Sequence, residues 1–118
     1  MKQANDLLKK IAESKNIRAV VLTTGDGFAM EKEIRDKSLD SDLLAVISRD
    51  VVVAARKMFF ELDKGQFIQG VFEYTNGVVL FANLPRETYL IVLASKNVNK
   101  AQVWDSVAGN FRGLLEVI

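Results

Sequence analysis

Leu7, Leu8 and Ile11 alternate with Lys9, Lys10 and Glu13 at helical spacing, which predicts a short amphipathic helix over residues 3–14 that Asn16 ends. Residues 17–23 are apolar and β-branched, and after Gly25-Asp26-Gly27 the run 28–32 can return antiparallel to them as a hairpin. The charged stretch 33–42 reads as a loop whose Asp40 or Ser41 caps a long helix over residues 41–62. At 1.5 Å per residue that helix is roughly 33 Å long. Asp63-Lys64-Gly65 ends it, with Gly65 suited to the left-handed conformation of a helix C-terminus. Three strands follow: residues 66–74, then 77–83 across an Asn76-Gly77 turn, then 87–94 across Leu84-Pro85-Arg86. Trp104, Val107, Ala108, Phe111, Leu115 and Ile118 recur at steps of three and four, marking a last amphipathic helix from about residue 99.

This order of elements predicts an α+β fold: a five-stranded antiparallel sheet with helices on both faces and hence two layers of core. No linker, repeat or low-complexity segment interrupts the chain, so residues 1–118 are expected to form one domain.

The long helix carries more apolar surface than one sheet needs. With Leu43 at zero and about 100° per residue, Leu43, Ala54, Ile47, Met58, Val51, Leu44, Leu62, Ala55, Phe59, Val52 and Ala45 fill an arc of about 200°. A surface helix usually shows a narrower stripe. Val46, Val53 and Phe60 form a second ridge at seven-residue spacing, flanked by Arg49 and Arg56 on one edge and by Asp50 and Lys57 on the other. One reading makes the arc a well-buried core face and the ridge scattered exposed residues. The other has the arc pack on the sheet and on a symmetry mate while the ridge and its arginines meet a partner, since apolar anchors beside arginine are the usual make-up of a hot spot.

Composition narrows the chemistry. The 118 residues are 49% hydrophobic and 26% charged, enough for a globular core without disulfides or metal. Cysteine and histidine are both absent, which removes the usual zinc sites, thiol nucleophiles and imidazole acids or bases. An enzyme would have to work with carboxylates, lysines or tyrosines, and no such cleft can be assembled, so no catalytic activity and no cofactor are expected. A net charge of +1 offers no footprint for nucleic acid or anionic lipid. No apolar run approaches the roughly 18 residues of a membrane span and the N-terminus has no signal-peptide core, so the expected location is the cytoplasm. Gly25-Asp26-Gly27-Phe28-Ala29-Met30 starts like a dinucleotide fingerprint but lacks the third glycine and leads into a strand. Asp36, Asp40 and Asp42 miss the spacing of a calcium loop and serve as caps.

The order of elements, the sequence Ile17-Arg18-Ala19-Val20-Val21-Leu22-Thr23-Thr24-Gly25-Asp26-Gly27-Phe28-Ala29-Met30 and the long apolar central helix together resemble the roadblock/dynein light chain family over nearly the whole chain. The resemblance implies a profilin-like sandwich, with the first and last helices on one sheet face and the central helix on the other. It also implies a homodimer in which the strand after the central helix pairs with its mate while the two central helices lie side by side. Here that strand would contribute Phe67, Ile68, Val71, Phe72 and Tyr74, and the helices Ala45, Val52 and Phe59. An open edge carrying so many apolar residues is an aggregation hazard, so self-pairing also makes physical sense.

Bacterial and archaeal proteins similar to this one bind Ras-like small GTPases of the gliding-motility and polarity type through the paired central helices and stimulate their hydrolysis. Carried to this chain, that surface is Val46, Arg49, Val53, Arg56, Lys57 and Phe60. No P-loop sequence exists, so any GTPase activity would belong to the partner. The rival readings are a PAS-like ligand-sensing domain, which would need an internal pocket, and a structural scaffold subunit without a GTPase partner.

Overall fold

The second and third helices of this chain start where a side-chain oxygen accepts the first free amides. Asp40, in extended conformation, accepts from the N–H groups of Asp42 and Leu43, and Asn99 accepts from Gln102. The computed structural model describes residues 2–118. Its elements are α1 (Lys2–Ala12), β1 (Ile17–Thr24), β2 (Ala29–Ile34), α2 (Ser41–Asp63), β3 (Gln69–Tyr74), β4 (Gly77–Leu84), β5 (Thr88–Ala94) and α3 (Lys100–Val117). All the strand pairs are antiparallel and the order across the sheet is β2-β1-β5-β4-β3, so the outer strands are β2 and β3.

Alternation along the strands divides the core in two. Val20, Leu22, Leu80, Leu90 and Val92 face α1 and α3, where they pack with Leu8, Ile11, Val103, Val107 and Leu114. Val21, Phe81, Tyr89 and Ile91 face the other way and pack with Val52 and Phe67 beneath α2. The expected sandwich is therefore the observed one: terminal helices on one face, central helix on the other.

Three local expectations change. The left-handed residue after α2 is Lys64, with φ 62°, whose N–H bonds the Phe60 carbonyl while Gly65 N–H reaches Phe59. The helix end needs those two carbonyls capped, and here a lysine accepts the steric cost. The β3–β4 turn is centred on Thr75 and Asn76, because Tyr74 and Gly77 already pair as strand partners. Finally β3 starts only at Gln69, which leaves Phe67 and Ile68 in the segment leading into it.

At the first hairpin the turn is tied to β1 by three bonds. Thr24 N–H donates to the Phe28 carbonyl (2.9 Å), Gly27 N–H to the Thr24 carbonyl (3.0 Å), and Phe28 N–H to Thr24 Oγ1 (3.1 Å). Gly27 takes φ 90°, and a Cβ there would press on the Arg49 side chain at 3.2 Å and on Val46 Cα at 3.5 Å. The turn therefore leans directly on α2. Of the two glycines in α3, Gly113 lets Leu7 of α1 approach to 3.0 Å of its missing Cβ, whereas Gly109 faces open space.

Candidate interaction surface on the central helix and sheet edge

The residues α2 buries are small: Ser41, Ala45 and Ser48, with Val52 the one large apolar side chain fully covered along its length. Leu44, Val51, Ala55, Arg56 and Phe59 are half-buried along the same side. What the helix exposes is larger and more apolar: Leu43, Val46, Ile47, Val53, Met58, Phe60 and Leu62 are between 46% and 71% accessible. The excess forms two stripes. Leu43, Ile47, Ala54 and Met58 run along one side of the helix, Val46, Val53 and Phe60 along the other, and Asp50, Lys57 and Glu61 lie between them. Exposed apolar stripes of this extent, bordered by charged residues, mark an interaction site.

Polar pins hold α2 to the sheet where apolar burial is thin. The Tyr89 hydroxyl donates to the Ala45 carbonyl at 3.3 Å, and burial of its ring pushes the phenol pKa up, against the opposing pull of Arg56 and Arg49. Arg56 Nε and Nη2 both donate to Asn83 Oδ1, Nε at 3.1 Å, and Nη2 also reaches the Thr88 carbonyl at 3.4 Å. The rings of Phe59 and Phe67 stack with centroids 6.2 Å apart. These contacts correct part of the expectation. Arg56 points into the sheet and clamps the β4–β5 hairpin instead of facing outward with Val46, Arg49, Val53, Lys57 and Phe60, which are all exposed. Ala45 and Val52 are 0% and 1% accessible, and Phe67 is buried at 6%, so these three have almost no surface to give a second chain. Phe59 is half spent on Phe67.

At the sheet edge, among the described residues, β3 has a neighbour only in β4. The register sets Gly70 opposite Phe81 and Phe72 opposite Val79, so Phe72 and Tyr74 lie on the α2 side, while Val71 and Glu73 lie on the α3 side. Phe72 meets Phe81 edge-on at 6.0 Å yet stays 56% exposed, and Ile68 just before the strand is 74% exposed. Glu73 is ion-paired with Lys100 of α3, which holds its carboxyl below the usual range. The Tyr74 hydroxyl accepts from Arg18, whose guanidinium also binds Asp36 at 2.9 Å. The unpaired β3 edge thus carries Phe72 and Tyr74 on the sheet face that α2 covers.

Residues 3–94 match the sequence pattern of the Roadblock/LC7 domain. The chain belongs to the Roadblock/LC7 family. Solved relatives share the fold at low identity. Myxococcus xanthus MglB superimposes with a TM-score of 0.90 at 14% identity, covering 98% of this chain and 87% of that one. A Roadblock/LC7 domain from Streptomyces avermitilis gives 0.84 at 19% identity, covering 93% and 92%. The gliding protein MglB from Thermus thermophilus gives 0.85 at 14% identity, covering 98% and 87%. Among curated proteins none matches this chain in sequence. The family match ends before α3, but the superpositions on both MglB structures extend over nearly the whole chain.

Within this Roadblock/LC7 chain, the exposed residues that the sequence reading did not assign to an interface are Leu43, Ile47 and Met58, part of the arc expected to pack on the sheet and on a symmetry mate, and Phe28 at the first turn, 71% exposed. The signal for the first three was present in the arc itself, which is wider than the sheet contact. For Phe28 there was none, because a strand-flanking aromatic reads as core.

Proposed function

We propose that the chain is a non-enzymatic, cytoplasmic adaptor that pairs with a second copy of itself and docks a Ras-like small GTPase. The observation that carries this reading is the inverted burial of α2, which turns small residues to the sheet and large apolar ones to solvent. The two stripes divide the work. The Leu43, Ile47 and Met58 stripe, with the β3 edge and its Ile68, Val71, Phe72 and Tyr74, serves the second copy. The Val46, Val53 and Phe60 ridge with Arg49 and Lys57 serves the GTPase. The likeness to MglB gliding-motility proteins supports the same reading at the level of fold. Among the described residues no helix is long and apolar enough to cross a membrane, in keeping with a cytoplasmic location.

The test is affinity capture from source-cell lysate in parallel with a non-hydrolysable GTP analogue and with GDP. Recovery of a Ras-like GTPase chiefly with the analogue is the expected outcome, and Val53→Arg should abolish it while leaving the fold and the self-association intact. Equal recovery from wild type and Val53→Arg would move the docking site elsewhere. Recovery of no GTPase in either arm would leave a structural scaffold.

A further inference from the structure

Gly70 stands inside the outer strand β3, and nothing in its own chain calls for a glycine there. Its φ lies outside the left-handed region. Among the described residues an added Cβ would meet nothing nearer than the Phe67 ring at 3.5 Å, which is ordinary contact. A glycine within a strand weakens it and often marks a place where another group approaches closely. Two residues on, Phe72 is 56% exposed on the same sheet face.

Backbone direction says how a second strand would lie against this one. The Asn83 N–H donates to the Ile68 carbonyl at 2.9 Å. In an antiparallel strand both backbone groups of a residue point to one side, and those of the next residue point to the other. Ile68, Gly70, Phe72 and Tyr74 therefore turn theirs toward β4, while Gln69, Val71 and Glu73 turn theirs to the open edge. The other outer strand is guarded: β2 carries Glu31, Lys32 and Glu33, and its Lys32 carbonyl accepts from Asn5 of α1. Along β3 the only charge is Glu73.

In a two-fold antiparallel pair, facing residues share a sheet face, so one residue at the axis faces its own counterpart. The centres that keep most of this strand paired are Gly70, Val71 and Phe72. Centred on Gly70, Glu73 has no strand residue of the partner to bond, and centred on Phe72, Gln69 has none. Centred on Val71, Gln69 faces the partner's Glu73 and every outward residue exchanges both of its hydrogen bonds. The side chains agree with the backbone. On the α2 face Phe72 then faces the partner's Gly70, whose bare backbone its ring covers, as aromatic residues do for glycines at sheet edges. On the α3 face Glu73, already paired with Lys100, faces an amide instead of a like charge.

We infer that two copies join along β3 with Val71 opposite itself and the Phe72 ring of each chain lying over the partner's Gly70. This rests on the self-pairing reading above and deepens it from a strand edge to a register.

The chain has no cysteine, so single cysteines report the register when oxidised with copper phenanthroline at a concentration where light scattering gives the paired mass. Facing residues lie about 5.5 Å apart at Cα where their backbones bond each other and about 4.5 Å apart where they do not, both within disulfide reach. Val71→Cys alone should form a covalent dimer. Gly70→Cys and Phe72→Cys should each stay uncross-linked alone, since the offset carries like residues beyond roughly 7 Å, and should join to each other when mixed. Faster cross-linking of Gly70→Cys or Phe72→Cys alone than of Val71→Cys would put the axis at that residue and overturn the register while self-pairing stands. No cross-link in any of them at the paired mass would move the interface off β3. A single-chain mass for wild type at every concentration would remove self-pairing and register together.

Discussion

A Cβ added to Gly77 would lie 2.3 Å from the Ala94 carbonyl oxygen, a backbone atom in the neighbouring strand that cannot move without opening the β4–β5 pairing. Gly109 has nothing within 4 Å of the same added atom and sits inside α3. The two glycines therefore answer an alanine in opposite directions. Gly77→Ala should destabilise the chain by about 1–3 kcal/mol through overpacking, and Gly109→Ala should stabilise it by about 0.5–1 kcal/mol through helix propensity. Urea midpoints at unchanged slope check both. Neither difference shows in the sequence, where Gly77 follows Asn76 in an expected turn and Gly109 stands in an amphipathic helix; what separates them is a carbonyl from a strand that follows β4 across a turn.

The central helix depends on polar pins to an unusual degree, since Ser41, Ala45 and Ser48 bury little apolar area beneath it. The Arg56 clamp on Asn83 and Thr88 holds its C-terminal half to the β4–β5 hairpin. Removing a charged donor from such a half-buried pair typically costs about 1–3 kcal/mol. Arg56→Ala should fall in that range and should also speed amide exchange selectively in the last turns of α2, leaving the N-terminal half, pinned by Tyr89, protected. Uniform loss of protection would mean that the helix moves as one body and that the clamp is not local. The element as a whole was legible in the residue pattern, including its cap at Asp40 and its excess apolar width. Its rotation was not: a wide arc can settle onto a sheet at several angles, and small buried residues together with Arg56 and Tyr89 chose this one.

On the scale of the whole molecule, a chain with an apolar sheet edge at β3 and two apolar helix stripes is incomplete as a monomer. Ile47→Glu places a charge in the stripe assigned to the second copy without touching the core, since Ile47 is 55% exposed. Light scattering should report twice the 13.2 kDa chain mass for wild type and the single chain mass for the variant. The thermal midpoint of wild type alone should rise with concentration, as it does when assembly is linked to folding. A single-chain mass for wild type across concentrations would remove self-pairing. The fold and family were within reach of the sequence because its information there is periodic and local: strand alternation, helix spacing, an Asp cap and an Asp-Gly turn each act over a few residues. Which apolar side chains are core and which are surface was decided only in three dimensions. The buried Phe67 and the exposed Phe72, five residues apart, look alike in sequence, and so do the inward Arg56 and the outward Arg49. The physical reason is that burial depends on what packs against a side chain from distant parts of the chain, and periodicity records only which side chains share a face.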